Sequence, residues 1–440
     1  MLKSLKLPLF ILPFLVGVVA HAEPLSLKTA IDETVKNSLA IQKAESVLEE
    51  SRWRRTSGMN LFLPTVTGGA SYLLDKKYMT ITIPFNGIST TIPQIIPTMM
   101  YNLQATMPVF DGFANISRLN ASNSSVRSSE YELGWTRFST VRQTTLQFYK
   151  ALAAETIKEV SAQNLKNLQD HLKDVQALKN AGVSTQYDLL RVETQVSEAE
   201  SEILNSEDQI ELARMKLAEI YGKDKEDRTI QGTLPVFESA LLKKLEGINQ
   251  PELGRGDLQA MSEKVDHFSS LDSASGRFWV PKIFLFGQYQ YYNNTNSKVL
   301  DSSSFASAYQ LGVSLSWNIF DGLTSAAKAG EAGQQLIQAE KTLQIARLKA
   351  TTEFETWKRK FLYFCKVYRA RMSDQSRSSE AVRLAKEGRR AGARTSSELL
   401  DAELDLFRAR AGVVNAQVGM IESLIQLELA TGKELVEWGV

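Results

Sequence analysis

The tripeptide Phe110-Asp111-Gly112 recurs as Phe320-Asp321-Gly322, 210 residues further along a chain of 440 residues. Other landmarks repeat at the same spacing: Ala181-Gly182-x-x-Thr185 returns as Ala391-Gly392-x-x-Thr395, and Gly222 returns as Gly432. Self-similarity at one fixed period is typical of a duplicated architecture. The sequence therefore predicts one structural unit that occurs twice.

The chain contains no proline between Gly112 and Gly182, and none between Gly322 and Gly392. Ala, Ser, Gln, Glu, Lys and Leu dominate the first of these stretches, which favours helix. A helix of ~65 residues would be ~100 Å long at 1.5 Å per residue. Such lengths far exceed the globular average and indicate a coiled coil or an extended helical assembly. Shorter helices that stack end to end along the long ones are expected at residues 25–61, 184–221, 241–278 and 395–431.

Four segments have the length and pattern of membrane strands: residues 65–74, 99–109, 283–293 and 307–319. A tilted transmembrane strand needs ~9–11 residues, and Val313-Ser314-Leu315-Ser316-Trp317 alternates as a barrel wall does. Loops are expected between the strands of each pair, at residues 75–97 and 294–306. Four strands cannot close a barrel in lipid, so the chain must oligomerise. Two copies would give eight strands with little lumen, and three would give twelve.

The domain organisation follows from the repeat. Residues 1–22 read as a secretory signal peptide, because Lys3 and Lys6 precede an apolar run and Ala20-His21-Ala22 supplies a small-x-small cleavage site. The residue directly after that site is Glu23 and not a cysteine, so a lipoprotein is not expected. The remaining units are a first repeat at 23–222, a linker at 223–233, a second repeat at 234–432 and a tail at 433–440.

Composition excludes several classes of function. The 51 Lys and Arg residues balance 50 Asp and Glu residues, which leaves no basic excess for nucleic acid. One cysteine and three histidines give no disulfide framework and no zinc site. No nucleophile, histidine partner or metal cluster converges in the sequence, so we expect no enzyme, no cofactor and no metal. No nucleotide-binding motif is present, so the energy for any transport would have to come from a partner. Cys365 should be a buried apolar residue, and His171 and His267 should have no special role.

These features together resemble the TolC-type outer membrane efflux family. Further matching stretches are Leu25-Ser26-Leu27-x-x-Ala30 with Asn37, Gln250-Pro251-Glu252-Leu253, and Leu429-Ala430-Thr431-Gly432. The resemblance implies a homotrimer whose strands form one 12-stranded transmembrane β-barrel in the outer membrane of a Gram-negative bacterium. Its helices would form a long α-helical coiled-coil barrel through the periplasm. The expected function is an export duct of a tripartite efflux or type I secretion system.

The resemblance also implies where the duct is gated and docked. An adaptor protein and an inner-membrane pump, driven by protons or by ATP, would engage the helical tips, which comprise Gly182, Val183, Ser184, Gly392, Ala393 and Thr395. Asp188, with Tyr187 beside it, and Arg394 of a neighbouring copy would hold the mouth shut. Glu398 and Asp401 would line the lumen as an acidic ring. Arg389 departs from the pattern, because some relatives have a tyrosine there.

Local chemistry offers a simpler reading of the same residues. A capping-box pattern is present in Thr185-Gln186-Tyr187-Asp188 and in Thr395-Ser396-Ser397-Glu398. Helix capping alone could therefore explain both acids. Asp401 could lie on a solvated helix face. Asp111, Gly112, Asp321 and Gly322 are expected to form strand-to-helix turns. The alternative from another class is a soluble periplasmic coiled-coil structural or adaptor protein, which would leave the four strand segments unexplained.

Overall fold

The computed structural model describes residues 24–75, 80–85, 87–93, 97–237, 241, 245, 254–293 and 302–438. The expected signal peptide at 1–22 and the matching stretch at 250–253 lie outside these residues. Seven α-helices have described bounds: α1 Leu27–Asn37, α2 Leu39–Asn60, α3 Ala114–Asn180, α4 Gln186–Tyr221, α5 Gly256–Ser275, α6 Thr324–Arg390 and α7 Ser396–Thr431. Six strands are described: β1 Thr65–Tyr72, β2 Thr80–Phe85, β3 Ile88–Pro93, β4 Met99–Phe110, β5 Lys282–Asn293 and β6 Ala306–Ser316.

The two long helices, α3 and α6, have 67 residues each, which confirms the predicted length and the duplication. Each begins after the repeated tripeptide. Gly112 and Gly322 have φ of 73° and 67°, and each is followed by a second left-handed residue. The Asp111 carboxylate accepts the backbone N–H of the residue four positions on at 2.7 Å, and Asp321 does the same at 3.0 Å. The tripeptide therefore forms the predicted turn from strand to helix.

The shorter helices stack along the long ones. Helices α2 and α4 pack in succession against α3, and α5 and α7 pack in succession against α6 and α3. The helix predicted at residues 25–61 is interrupted at Ser38, which has an extended backbone and divides α1 from α2. The helix contacts form one row across the protomer, which we call the helical arc, and α3 and the α5/α7 stack occupy its middle. The α2/α4 stack forms one edge of the arc and α6 forms the other.

The main sheet has the order β1-β4-β5-β6 and is antiparallel throughout. Strands β4 and β5 join the two repeats at its centre, so β1 and β6 are the free edges. Seven of the eight ends of the four predicted strands agree with the structure within two residues, whereas β6 ends at Ser316 instead of 319. The expectation of a plain loop at 75–97 is wrong, because β2 and β3 pair there as a separate hairpin.

The largest buried cluster lies halfway along the helices, where the ends of both repeats meet. Its fully buried members include Leu25, Phe148, Phe361 and Leu424. The segment after α7 packs into this cluster through Trp438, which is 4% exposed. Cys365 is also buried there, as predicted. Among the described residues, no helix has the length and apolar character needed to cross a bilayer.

Candidate functional site

Both helical hairpins end in the same tight turn at one end of the molecule. Gly182 follows α3 with a φ of 75°, and its N–H donates to the carbonyl of Lys179. The N–H of Val183 donates to Leu178 at 2.9 Å, which completes a Schellman motif. Gly392 and Ala393 repeat this geometry after α6. Because glycine adopts a left-handed backbone without steric cost, it permits the reversal at both tips.

The acids that follow these turns cap helices α4 and α7. The Asp188 carboxylate accepts the Thr185 backbone N–H at 3.0 Å and the Thr185 hydroxyl at 2.7 Å. Glu398 accepts the N–H of Thr395 at 2.9 Å, and the Thr395 hydroxyl accepts the N–H of Glu398. These bonds lower the pKa of both carboxyls, chiefly through Thr185 for Asp188 and through Thr395 for Glu398. Both acids are therefore charged helix caps, as the capping-box pattern predicts. This geometry is also compatible with the roles that the family resemblance implies for them, in the gate and in the lumen.

A polar cavity of about 880 Å³ lies between the two tips. Asp188, Arg394, Thr395, Ser184 and Val183 are among the residues that line it. Within one chain the Arg394 guanidinium lies 3.4 Å from Glu398. The predicted pairing of Arg394 with Asp188 joins two copies, so it stays a prediction. Tyr187 is 71% exposed beside this cavity and free to meet another chain.

Arg191 joins the two hairpins and was not anticipated from the sequence. Its guanidinium lies 2.6 Å from the Asp401 carboxylate and also contacts the Ser397 hydroxyl. Asp401 therefore has a partner inside the chain rather than projecting alone from a helix face. The repeat could have indicated this pair, because Arg191 and Asp401 are 210 residues apart and occupy equivalent positions in the first turns of α4 and α7.

His171 has a structural role at the tip, so the expectation that it is incidental is wrong. Only 4% of it is exposed. Nδ1 accepts from Arg389 at 2.7 Å, and because arginine only donates, the proton of the neutral ring belongs on Nε2, 3.1 Å from the Ser396 hydroxyl. Burial, and secondarily the positive charge of Arg389, lowers the pKa of His171 to about 4. The spacing Leu168, His171, Val175 is that of a buried coiled-coil stripe and could have shown this.

A second buried polar group lies next to His171. Glu403 is 5% exposed and pairs with Lys386 at 3.1 Å. Desolvation raises the pKa of its carboxyl despite this partner. Arg389 completes the cluster through an ion pair of 3.2 Å with Asp174. Helices α3, α6 and α7 are thus held together at the tip by polar contacts rather than by apolar packing alone.

The two faces of the four-stranded sheet differ, because one of them is dominated by apolar side chains. On β6 the side chains of Tyr309, Leu311, Val313 and Leu315 are 66–86% exposed on one face. Residues paired in register share a face, so Tyr289 and Leu103 extend the apolar surface across β5 and β4. The opposite face carries one row of polar residues, which runs Thr67, Gln104, Gln288, Gln310. Apolar outside and polar inside is the pattern of a membrane barrel wall.

Aromatic residues border the apolar face at both ends. Tyr291 and Phe305 stack at 4.7 Å between ring centroids at one end. At the other end the Trp317 indole donates to the carbonyl of Trp279 at 3.0 Å, and Phe320 is 77% exposed. The path from Phe305 to Trp317 is about 40 Å along a strand, or about 30 Å after a 40° tilt. This height suits a bilayer with interfacial girdles.

A sheet with a membrane-facing surface, joined to helices of about 100 Å, defines an outer-membrane channel with a helical extension. The family model "Outer membrane efflux protein" matches residues 30–223 and 248–433. The chain therefore belongs to the outer membrane efflux protein family. It is an efflux channel of the outer membrane with a periplasmic helical part, which decides against the soluble coiled-coil alternative.

Solved structures share this fold. The channel CmeC of Campylobacter jejuni superposes with a TM-score of 0.75 at 14% identity, over 92% of this chain and 85% of that one. VceC of Vibrio cholerae gives 0.75 at 15% identity, over 93% and 97%. The open-state channel MtrE of Neisseria gonorrhoeae gives 0.72 at 18% identity, over 93% and 89%. No curated protein sequence matches the chain.

Proposed function

We propose that three copies assemble head to tail into a single export duct with a 12-stranded barrel and a 12-helix tunnel. The observation that carries this proposal is the open sheet. Strand directions alternate from β1 to β6, so β6 of one copy can pair antiparallel with β1 of the next. Closure leaves no unpaired backbone in lipid, which a four-stranded sheet alone cannot achieve.

Membrane fractionation followed by chemical cross-linking tests the assembly. We expect a heat-modifiable trimer in the outer-membrane fraction and a conducting pore in planar bilayers. A soluble monomer, or a cross-linked ladder that passes three copies, would refute the closed trimer. If residues 1–22 are removed as a signal peptide, N-terminal sequencing should show that the mature protein begins at Glu23.

We further propose that the tips gate this duct, with Arg394 of one copy held against Asp188 of its neighbour and Tyr187 beside them. Three such exposed pairs would favour the closed state by about 0–1 kcal/mol each. The combined variant Asp188→Ala and Arg394→Ala should therefore raise single-channel conductance or open probability. The matched control removes Asp405 and Arg408, an exposed pair on α7 at 3.9 Å, and should leave both unchanged. Equal conductance and equal open probability in all three proteins would contradict the gate.

The lumen beside this gate should favour cations, because Glu398 and Asp401 would form acidic rings there. Asp401→Asn should reduce cation over anion permeability. The turns at residues 182–184 and 392–395 would receive a periplasmic adaptor that links the duct to an inner-membrane pump. A cysteine at Val183, which is 74% exposed, should cross-link to that adaptor in cells. The duct itself needs no catalysis or cofactor, since the pump supplies the energy from protons or ATP.

A further inference from the structure

The two edges of the helical arc carry opposite charge. Helix α4 has nine acidic and three basic residues. The half of α6 nearest the tip, residues 354–390, has eleven basic and four acidic residues. These helices lie on opposite sides of the protomer, separated by α3 and α7. They therefore do not neutralise each other inside one chain.

The opposite charges are confined to the tip half of the molecule. Helix α2, which stacks beyond α4 on the same edge, has four basic and three acidic residues. The membrane-proximal half of α6, residues 324–353, also has four basic and three acidic residues. The acidic and the basic segments thus occupy the same level along the helices. A general preference for charged surface would not produce this coincidence.

In the part of the chain that the structure describes, many of the acids on α4 and of the bases on α6 form no ion pair. Glu200, Asp208 and Glu211 are exposed on α4 and form no ion pair within 4 Å among the described residues. Lys366 and Arg369 on α6 are also exposed and form no such pair in that part of the chain. By contrast, ion pairs join α4 to α3, such as the pair between Lys158 on α3 and Glu207 on α4 at 2.9 Å.

Each edge also exposes apolar side chains between its charges. On α4 they are Leu190, Leu204, Leu212 and Met215, at 43–66% exposure, on the side away from the buried stripe that packs on α3. On α6 they include Tyr363 and Leu384, at 60% and 52%. An apolar seam flanked by charges is the pattern of a helix that packs against another helix. Both edges lack this partner in the single chain.

We propose that the acidic α4 edge of one copy packs against the basic α6 edge of the next, and that this charge match directs head-to-tail assembly. The inference rests on the trimer proposed above and specifies its interface. Helix α4 runs away from the tip and α6 runs toward it, so the contact is antiparallel. Counted from the tips, Asp208 lies level with the segment between Lys366 and Arg369.

The interface is heterologous, because it uses different surfaces of each copy, and three such interfaces close a ring when each rotates the next copy by a third of a turn. Like edges repel, so α4 cannot pair with α4 or α6 with α6. Screening should weaken the effect, since the Debye length falls from about 10 Å at 0.1 M salt to about 3 Å at 1 M. The charge match therefore predicts an assembly that depends on salt.

Charge reversal with rescue tests the proposal on the full-length protein. One variant combines Glu200→Lys, Asp208→Lys and Glu211→Lys, a second combines Lys366→Glu, Arg369→Glu and Arg377→Glu, and a third contains all six. We expect each triple variant to lower the dissociation temperature of the trimer by about 10 °C, and the sixfold variant to recover at least half of that loss. In 1 M salt the losses should shrink by more than half.

The matched control reverses three bases in the other half of α6, through Lys341→Glu, Arg347→Glu and Lys349→Glu, and should stay close to wild type. Disulfide trapping gives a second readout: Asp208→Cys with Arg369→Cys, in a Cys365→Ala background, should form covalent trimers. Cross-links from Asp208→Cys alone, or a sixfold variant no better than either triple, would overturn the inference. A wild-type protein that is not trimeric would instead contradict the proposed duct itself.

Discussion

Replacing Glu428 with alanine should release the C-terminal segment from the middle of the molecule. The Glu428 carboxylate is completely buried and accepts the backbone N–H of Leu435 at 2.7 Å and the Trp438 indole N–H at 2.9 Å. Arg142, itself 4% exposed, lies 3.0 Å away. Burial raises the pKa of Glu428 even beside this arginine, so the charged form is held at some cost.

The free-energy cost of Glu428→Ala depends on the buried charge of Arg142, which loses its partner. Breaking a buried ion pair costs about 3–5 kcal/mol, because one charge stays buried without its partner. Arg142 keeps a second contact, with Glu434 at 2.5 Å, so we expect the lower value of about 3 kcal/mol. That energy corresponds to about a hundredfold change in the equilibrium constant for local opening of the C-terminal segment. The amides of Leu435 and Val436 should exchange with deuterium about a hundred times faster in Glu428→Ala.

Glu422→Ala is the matched control, because it removes the same residue type from the same helix and also breaks a pair with α3. Glu422 lies 3.0 Å from Lys150, but both side chains are more than a third exposed. An exposed pair contributes about 0–1 kcal/mol, so exchange in the tail should change less than about fivefold. Equal acceleration in both variants, or none in Glu428→Ala, would refute the reasoning that burial sets the cost.

Three further perturbations have defined outcomes. Gly182→Ala forces a side chain into a left-handed backbone and should lower the free energy of unfolding by about 1–2 kcal/mol. Gly134→Ala, in open space within α3, should instead raise the free energy of unfolding by up to about 1 kcal/mol, and thermal denaturation of both variants checks this. Gly419→Ala places a methyl group 2.4 Å from the Phe364 ring and should lower the free energy of unfolding by about 1–3 kcal/mol. Chemical denaturation that shows no change would contradict this prediction. Because the pKa of His171 is about 4 in the folded tip and 6.5 when unfolded, protonation favours the unfolded form. The stability of the tip should therefore be constant above pH 6.5 and fall as the pH drops toward 4. A wild-type protein with the same pH profile as His171→Asn would contradict this.

The repeat, the helix lengths and the strands were predictable because they depend on local pattern. A proline-free stretch and two glycine turns determine where α3 and α6 begin and end. The β2–β3 hairpin was missed although Asn86-Gly87 is a hairpin signal, because its flanking strands are short and interrupted by prolines. Turn residues alone did not distinguish it from a loop.

The polar contacts at the tip were less predictable, since each depends on residues far apart in sequence. Arg191 reaches Asp401 across 210 residues, and His171 reaches Arg389 across 218. Capping boxes at Asp188 and Glu398 could be read directly, because their partners lie three residues away. Sequence spacing thus predicted where the tip lies and which acids cap it, but not which cations cross between hairpins.

The two repeats diverge according to their place in the arc. Helices α3 and α6 have equal lengths and equivalent turns, yet α3 has twenty buried positions and α6 has seven. The same contrast separates α7, with eighteen, from the equally long α4, with nine. The middle elements need apolar surface for two neighbours within the chain, whereas α4 and α6 have one. Their excess of exposed and charged positions is therefore the surface that a second copy would have to cover.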